Sequence, residues 1–248
     1  MTRSGHLLAA EASALLDSAE EVERSVVGGG RELVGPLVVG CYSNFAPTLL
    51  PGLIEGFVAV HPRVDINFRI ASQDLLQELL AEGQIDLAIV YDIGLRPGLR
   101  KRELYRARVH VIVGANHRFA HRGSVSLNEL AEDPYILFES APAGDQALAI
   151  FDAQGITPNV RFRSEQYELT RALVARDLGY CMMIYRSRSN LSYEGLAVVE
   201  LEITPEMEPR STVLAWRRSM PLSVRAEAFA DFAQHYVAGH LDAMPGAI

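Results

Sequence analysis

The chain has 248 residues, 49% of them apolar and 22% charged, and a net charge of −8. That length buries one full core or two small ones, and that acidic balance disfavours nucleic-acid binding by this chain alone, because phosphate contacts need clustered Lys and Arg. No apolar run reaches the ~18 residues of a membrane span, and the opening MTRSGHLLAAEASALL turns acidic instead of presenting a basic region and a cleavage site. The expected setting is therefore the cytoplasm, with no membrane partner. Cys41 and Cys181 are far apart and lack CxxC or Cys/His ligand spacing, so neither a zinc site nor a disulfide framework is indicated. Two small buried residues are the plain reading and a redox pair the alternative.

In chain order, residues 7 to 27 read as a helix in which Leu8, Ala12, Leu15, Ala19, Val22 and Val26 recur at alternating steps of four and three. That is a coiled-coil seam of about three heptads, stopped by Gly28, Gly29 and Gly30. An amphipathic helix packed on its own domain is the other reading. From Leu33 strands and helices alternate. PLVVG is a strand, Pro47 to Val60 a helix ended by His61 and Pro62, VDINFRI a strand, Asp74 to Ala81 a helix closed by Gly83, and IDLAIVY a strand. This βαβαβ order predicts a parallel sheet covered by helices. A charged, irregular stretch from Arg96 to Arg108 interrupts it.

VHVIVG then restarts the alternation. A short helix with the Ser126/Glu129 capping box follows, then the strand PYILFE, a helix ending near Gly155, and the strand NVRFR. A helix from Glu165 closed by Gly179, the strands YCMMIY, LAVVEL and TVLAWRR, and an amphipathic helix from Leu222 to His240 complete the chain. Two α/β lobes, joined near residues 105 to 108 and again near 218, would leave a cleft lined by the carboxyl ends of strands from both.

The junction of the first strand with its helix, at Ser43 and Asn44, has two uses. Asn is a good helix N-cap and Pro47 suits a first turn, so the pair can simply start the helix. A helix N-terminus after a parallel strand also presents unpaired N–H groups to a small anionic or polar ligand.

The order and spacing of LVGPLVVG, CYSNFAPTLLPGLIEGFVAVHPRVDINF, LLQELLAEGQIDLAIVYD, HRFAHRGSVSLNELAEDPYILFE and TRALVARDLGYCMMIY resemble the regulatory part of LysR-type transcriptional regulators. The resemblance spans most of residues 7 to 240. It implies an α/β fold of two Rossmann-like lobes with a ligand cleft, the type 2 periplasmic-binding-protein fold, preceded by a linker helix. The matching division is a linker and dimerisation helix over 1–30, lobe I over 33–107 and 219–248, and lobe II over 108–218. It also implies a small-molecule effector, a homodimer or homotetramer, and DNA contact only through an N-terminal winged helix-turn-helix that does not precede Leu7 here. No cofactor is expected.

The effector contacts implied by that resemblance are Ser43 and Asn44, joined on strand-end grounds by Tyr91 and Asp92 in the same lobe. From the second lobe come Phe138, Glu139 and Ser140, then Glu165, Gln166 and Tyr167, with Tyr180 either a contact or core. Tyr91, Phe138 and Tyr167 suit an aromatic or aliphatic body. Asp92, Glu139 and Glu165 call for a ligand with hydroxyl or amino donors, or for partial neutralisation by Arg171. An enzyme is disfavoured: G-x-S-x-G, H-E-x-x-H, P-loop and G-x-G-x-x-G patterns are absent, and seven dispersed His suggest no base beside a nucleophile. Asp92 and Glu139 could pair as acid and base, yet they serve equally as ligand acceptors. A stand-alone solute-binding or interaction module of the same fold is the alternative function.

Overall fold

In the computed structural model, the described residues are 32–241 together with Gly5, Ala12 and Ala247. Apart from Ala12, the expected helix over 7–27, its apolar seam and the Gly28 to Gly30 stop lie outside them. The elements are β1 (Gly35–Tyr42), α1 (Ala46–Val60), β2 (Val64–Ala71), α2 (Gln73–Ala81), β3 (Leu87–Tyr91), β4 (Leu99–Ala107), β5 (His110–Gly114), β6 (Ser124–Val125) and a 3-10 turn (Leu127–Leu130). There follow β7 (Pro134–Phe138), α3 (Ala143–Ala153), β8 (Asn159–Ser164), α4 (Tyr167–Ala175), β9 (Cys181–Met183), β10 (Val198–Ile203), β11 (Arg210–Arg217) and α5 (Val224–Gly239). They fall into two compact units, Met1–Tyr105 with Thr212–His240, and Arg106–Ser211 with Leu241–Ile248.

Unit 1 is built on the sheet β2-β1-β3-β11-β4. β1 pairs in parallel with β2 and β3, as the βαβαβ pattern predicts. The all-apolar β3 is buried along its whole length, which suits a central strand covered on both faces. The sheet is not wholly parallel, because β11 joins β3 antiparallel, with Val213 opposite Val90. Nor is the basic stretch after Arg96 irregular: Leu99–Ala107 is the edge strand β4. An edge strand tolerates charges on its solvent side. Arg102 also finds acceptors on α5, reaching Asp231 at 2.7 Å and Glu227 at 2.5 Å. α1 and α5 pack through an aromatic set in which Phe57 meets Phe229 at 5.2 Å and Phe232 at 5.7 Å. Gly56 permits this approach, since a Cβ there would lie 2.6 Å from the Phe232 ring.

Unit 2 holds the sheet β6-β10-β5-β9 and a separate parallel pair, β7-β8. Here too the simple parallel expectation fails: β5 runs antiparallel to both β10 and β9. The apolar run HVIVG is buried throughout, and such a run reads the same in either orientation. The expected capping box is present, with Ser126 accepting from the Glu129 N–H and the Glu129 carboxylate accepting from the Ser126 N–H at 2.9 Å. These bonds, with Arg122, hold the Glu129 carboxyl down to about 2. Tyr135 sits in the core with its ring 5.0 Å from both Phe151 and Tyr180. Among the described residues no helix is long and apolar enough to cross a membrane.

Candidate ligand site

In unit 1 the carboxyl ends of β1 and β3 lie side by side, because Cys41 is level with Ile89. That register carries Ser43 and Asn44 to the edge where Tyr91 and Asp92 emerge. The expected capping by Asn44 does not occur. α1 begins at Ala46, its N-cap is Phe45 without a side-chain bond, and Pro47 lies in the first turn. Asn44 stands one residue too early, in the turn that joins β1 to α1. It is only 5% exposed, and its side-chain oxygen accepts no hydrogen bond among the described residues. The half-buried Ser43 fixes the turn by donating its N–H to Ala71 O at 3.2 Å. Tyr91 is buried edge-on against Phe45 at 4.8 Å and Tyr42 at 5.6 Å. Asp92 is ion-paired to Lys101, which reaches its two oxygens at 2.7 and 2.5 Å.

Two glutamines on α2, one turn apart, hold the segment after β3. Gln73 accepts from the Tyr91 N–H at 2.9 Å and donates to Ile93 O at 2.5 Å. Gln77 accepts from the Arg96 N–H at 2.6 Å. The sequence signal was there, two polar residues at i and i+4 on an otherwise apolar helix face. What they hold depends on a contact about twenty residues away.

In unit 2 the parallel pair β7-β8 ends level, with Phe138 opposite Ser164 and the Glu139 N–H donating to Ser164 O at 2.9 Å. Phe138, Glu139 and Ser140 are thereby brought beside Glu165, Gln166 and Tyr167. The Phe138 and Tyr167 rings meet edge to face at 6.3 Å, and Tyr185 closes on Tyr167 at 5.5 Å. Burial pushes the Tyr167 phenol well above its ordinary range, and its hydroxyl donates to Tyr185 O at 3.4 Å. Ser140 is buried, while Glu139 is exposed and paired with Arg163 at 3.1 Å. Glu165 and Gln166 are exposed. The expected helix start at Glu165 shifts: Gln166 is the N-cap and Glu168 the first-turn acid.

Tyr180 is fully buried in the unit 2 core, away from solvent. Gly179 before it lets the chain close on β7, where Tyr180 N–H donates to Pro134 O at 2.9 Å; a side chain at Gly179 would strike that carbonyl. Arg171 does not neutralise Glu165. Its side chain is 5% exposed and fully engaged, with Glu168 at 2.9 Å, Ser189 O at 2.6 Å and Leu191 O at 3.2 Å. Glu168 in turn accepts from the Tyr193 N–H at 2.6 Å. A second polar cluster joins Arg186 to Glu200 at 3.1 Å and Glu202 at 2.6 Å, with His110 Nε2 4.0 Å from Glu200. Burial, then Arg186, lowers the His110 pKa to about 3. Among the described residues no group of three or more His, Cys, Asp or Glu is placed to hold a metal ion. Chemically, the assembled groups offer hydrogen bonds and aromatic walls, with no nucleophile set beside a base.

A family model described as the LysR substrate binding domain matches residues 30–238. This chain belongs to the LysR family. The domain is the effector-binding regulatory domain of a DNA-binding transcriptional regulator, with the type 2 periplasmic-binding-protein fold. The C-terminal domain of a probable LysR-family regulator from Rhodococcus sp. RHA1 is 36% identical and superposes with a TM-score of 0.79, covering 81% of this chain and 99% of that one. The effector-binding domain of QuiR in complex with shikimate is 25% identical with a TM-score of 0.74, covering 84% and 99%. The hydrogen peroxide-inducible genes activator of Haemophilus influenzae is 25% identical over 245 residues, 98% of this chain and 81% of that protein.

Proposed function

We propose that this LysR regulatory domain senses a small polar or aromatic metabolite. Its candidate contacts are Ser43 and Asn44 in unit 1 and, in unit 2, Ser140, Gln166 and the partly exposed Tyr167 ring, whose neighbour Phe138 is buried in the core. The observation that carries the reading is Asn44, a buried amide whose oxygen is unsatisfied at a strand-to-helix junction where ligands of such folds bind. Eight buried side-chain atoms lack partners among the described residues, and at this edge a ligand donor supplies one to Asn44. A thermal-shift screen of aromatic acids, amino acids and hydroxylated metabolites tests the proposal. A single-site ligand at about one hundred times its dissociation constant stabilises the fold by roughly 2.7 kcal/mol. Asn44→Ala and Gln166→Ala should each reduce the shift of a true hit. Unchanged ligand responses in both variants would sink the reading.

Peroxide, which the Haemophilus relative's name mentions, would find poor targets in the thiols of this chain. Peroxide attacks thiolates, and both cysteines are fully buried. Burial pushes the Cys181 thiol up to about 12 and that of Cys41 higher still. The two also lie in different units. The regulator works as a homodimer or homotetramer in the cytoplasm, and a winged helix-turn-helix of the full-length protein contacts DNA. Light scattering of this chain should show self-association, and a mobility-shift assay at physiological salt should show no sequence-specific DNA retention.

A further inference from the structure

We propose that Thr212 is a second effector-contacting side chain in unit 1, and that with Asn44 it selects ligands whose polar group donates hydrogen bonds. This rests on the effector site proposed above and names the class of ligand it takes. Thr212 opens the unit 1 part of β11 and lies directly opposite Tyr91. β1 pairs with β3 as far as Cys41 opposite Ile89, and Ser43 and Asn44 follow in the turn after β1. Tyr91 and Thr212 therefore form a pair at the end of β3, the sheet edge at which Ser43 and Asn44 leave β1.

Thr212 is 0% exposed and its hydroxyl makes no hydrogen bond among the described residues. A position that only filled the core would be served by Val, which has the same shape and no polar atom to desolvate. Two of the eight buried side-chain atoms without partners among the described residues, Asn44 Oδ1 and Thr212 Oγ1, thus belong to this edge of unit 1. An amide oxygen only accepts, and a hydroxyl accepts as well as donates. The natural complement is a hydroxyl, amide N–H or ammonium group. A carboxylate would bring further acceptors towards these oxygens. Lys101 is held by both oxygens of Asp92 at this edge, and an anion drawing it away would strand that carboxylate.

The test uses an isosteric pair, benzamide and benzoate, at matched concentrations in differential scanning fluorimetry. Benzamide should raise the melting temperature more than benzoate. Asn44→Leu and Thr212→Val should each weaken benzamide binding by about three- to tenfold, the worth of one hydrogen bond. The unliganded melting temperature of Thr212→Val should equal or exceed that of the parent, because the substitution removes an unpaired buried hydroxyl. A benzoate shift as large as that of benzamide, a shift from neither, or a benzamide response untouched by Thr212→Val overturns the inference. A benzoate shift abolished by Asn44→Leu overturns the donor preference while leaving the effector site itself standing.

Discussion

Replacing Arg171 by Met isolates the anchor beneath the aromatic wall of unit 2. Met keeps the length and apolar stem of the side chain but removes three bonds, one to the Glu168 carboxylate and two to the carbonyls of Ser189 and Leu191. Hydrogen bonds involving a charged group contribute about 1.5–3 kcal/mol, and breaking a fully buried ion pair costs about 3–5 kcal/mol. Glu168 keeps 21% side-chain exposure and its bond from the Tyr193 N–H, so its stranded charge is partly solvated. The lower part of that range applies, about 3 kcal/mol. For a chain of this size each kcal/mol moves the melting temperature by about 2–4 °C, giving a fall of about 6–12 °C. Differential scanning calorimetry measures it, and limited proteolysis of the segment 186–197 reports the local release. The effect should be largely non-additive with Glu168→Gln, because both changes break one shared bond. A fall under about 2 °C with unchanged proteolysis would refute the assignment of Arg171 as an anchor and reopen its role as a counter-charge for the ligand.

Gly56→Val should destabilise unit 1 by about 1–3 kcal/mol in urea denaturation, since the added carbons meet the Phe232 ring. Because the folded His110 pKa lies below its ordinary 6.5, at about 3, the unfolded chain binds the extra proton; stability should be full above pH 6.5 and fall progressively towards pH 3. Urea midpoints from pH 7 to pH 4 check this, and His110→Phe should flatten the decline. Both thiols should resist a disulfide-exchange reagent until the protein unfolds, and hydrogen peroxide should leave the native melting temperature unchanged.

Local chemistry made much of this legible in the sequence. The Ser126/Glu129 box, the closing Gly83 and Gly155 and the apolar run of β3 each depend on neighbours a few residues away, whereas α4 ends at Ala175 with Asp177 in the left-handed region, ahead of the expected stop at Gly179. The strand-end rule brought Phe138 and Tyr167 to the same edge of unit 2 because parallel strands deliver successive loops to one side. What depended on distant pairing was hidden. Leu99–Ala107 carries too many charges to look like a strand until α5 supplies acids for Arg102. Arg171 looked available to the ligand because the carbonyls of Ser189 and Leu191 lie about twenty residues further on. Thr212 read as the start of a buried strand, and only the register against Tyr91 gives its hydroxyl a meaning. Asn44 failed as a cap by the offset of one residue that the Phe45 turn introduces.

The insertion of β11 between β3 and β4 also sets an order on the ribosome. Residues 106–211 form one continuous segment in which β5 to β10 all find strand partners, so those sheets can pair before the last residues of unit 2, Leu241–Ile248, emerge. Unit 1 cannot. Its edge strand β4 has no neighbour until β11 is synthesised, more than a hundred residues later, and α1 lacks the Phe229 and Phe232 rings until α5 follows. During translation β1, β2 and β3 wait with one open flank and an uncovered apolar helix, the kind of surface through which a partly made chain mispairs.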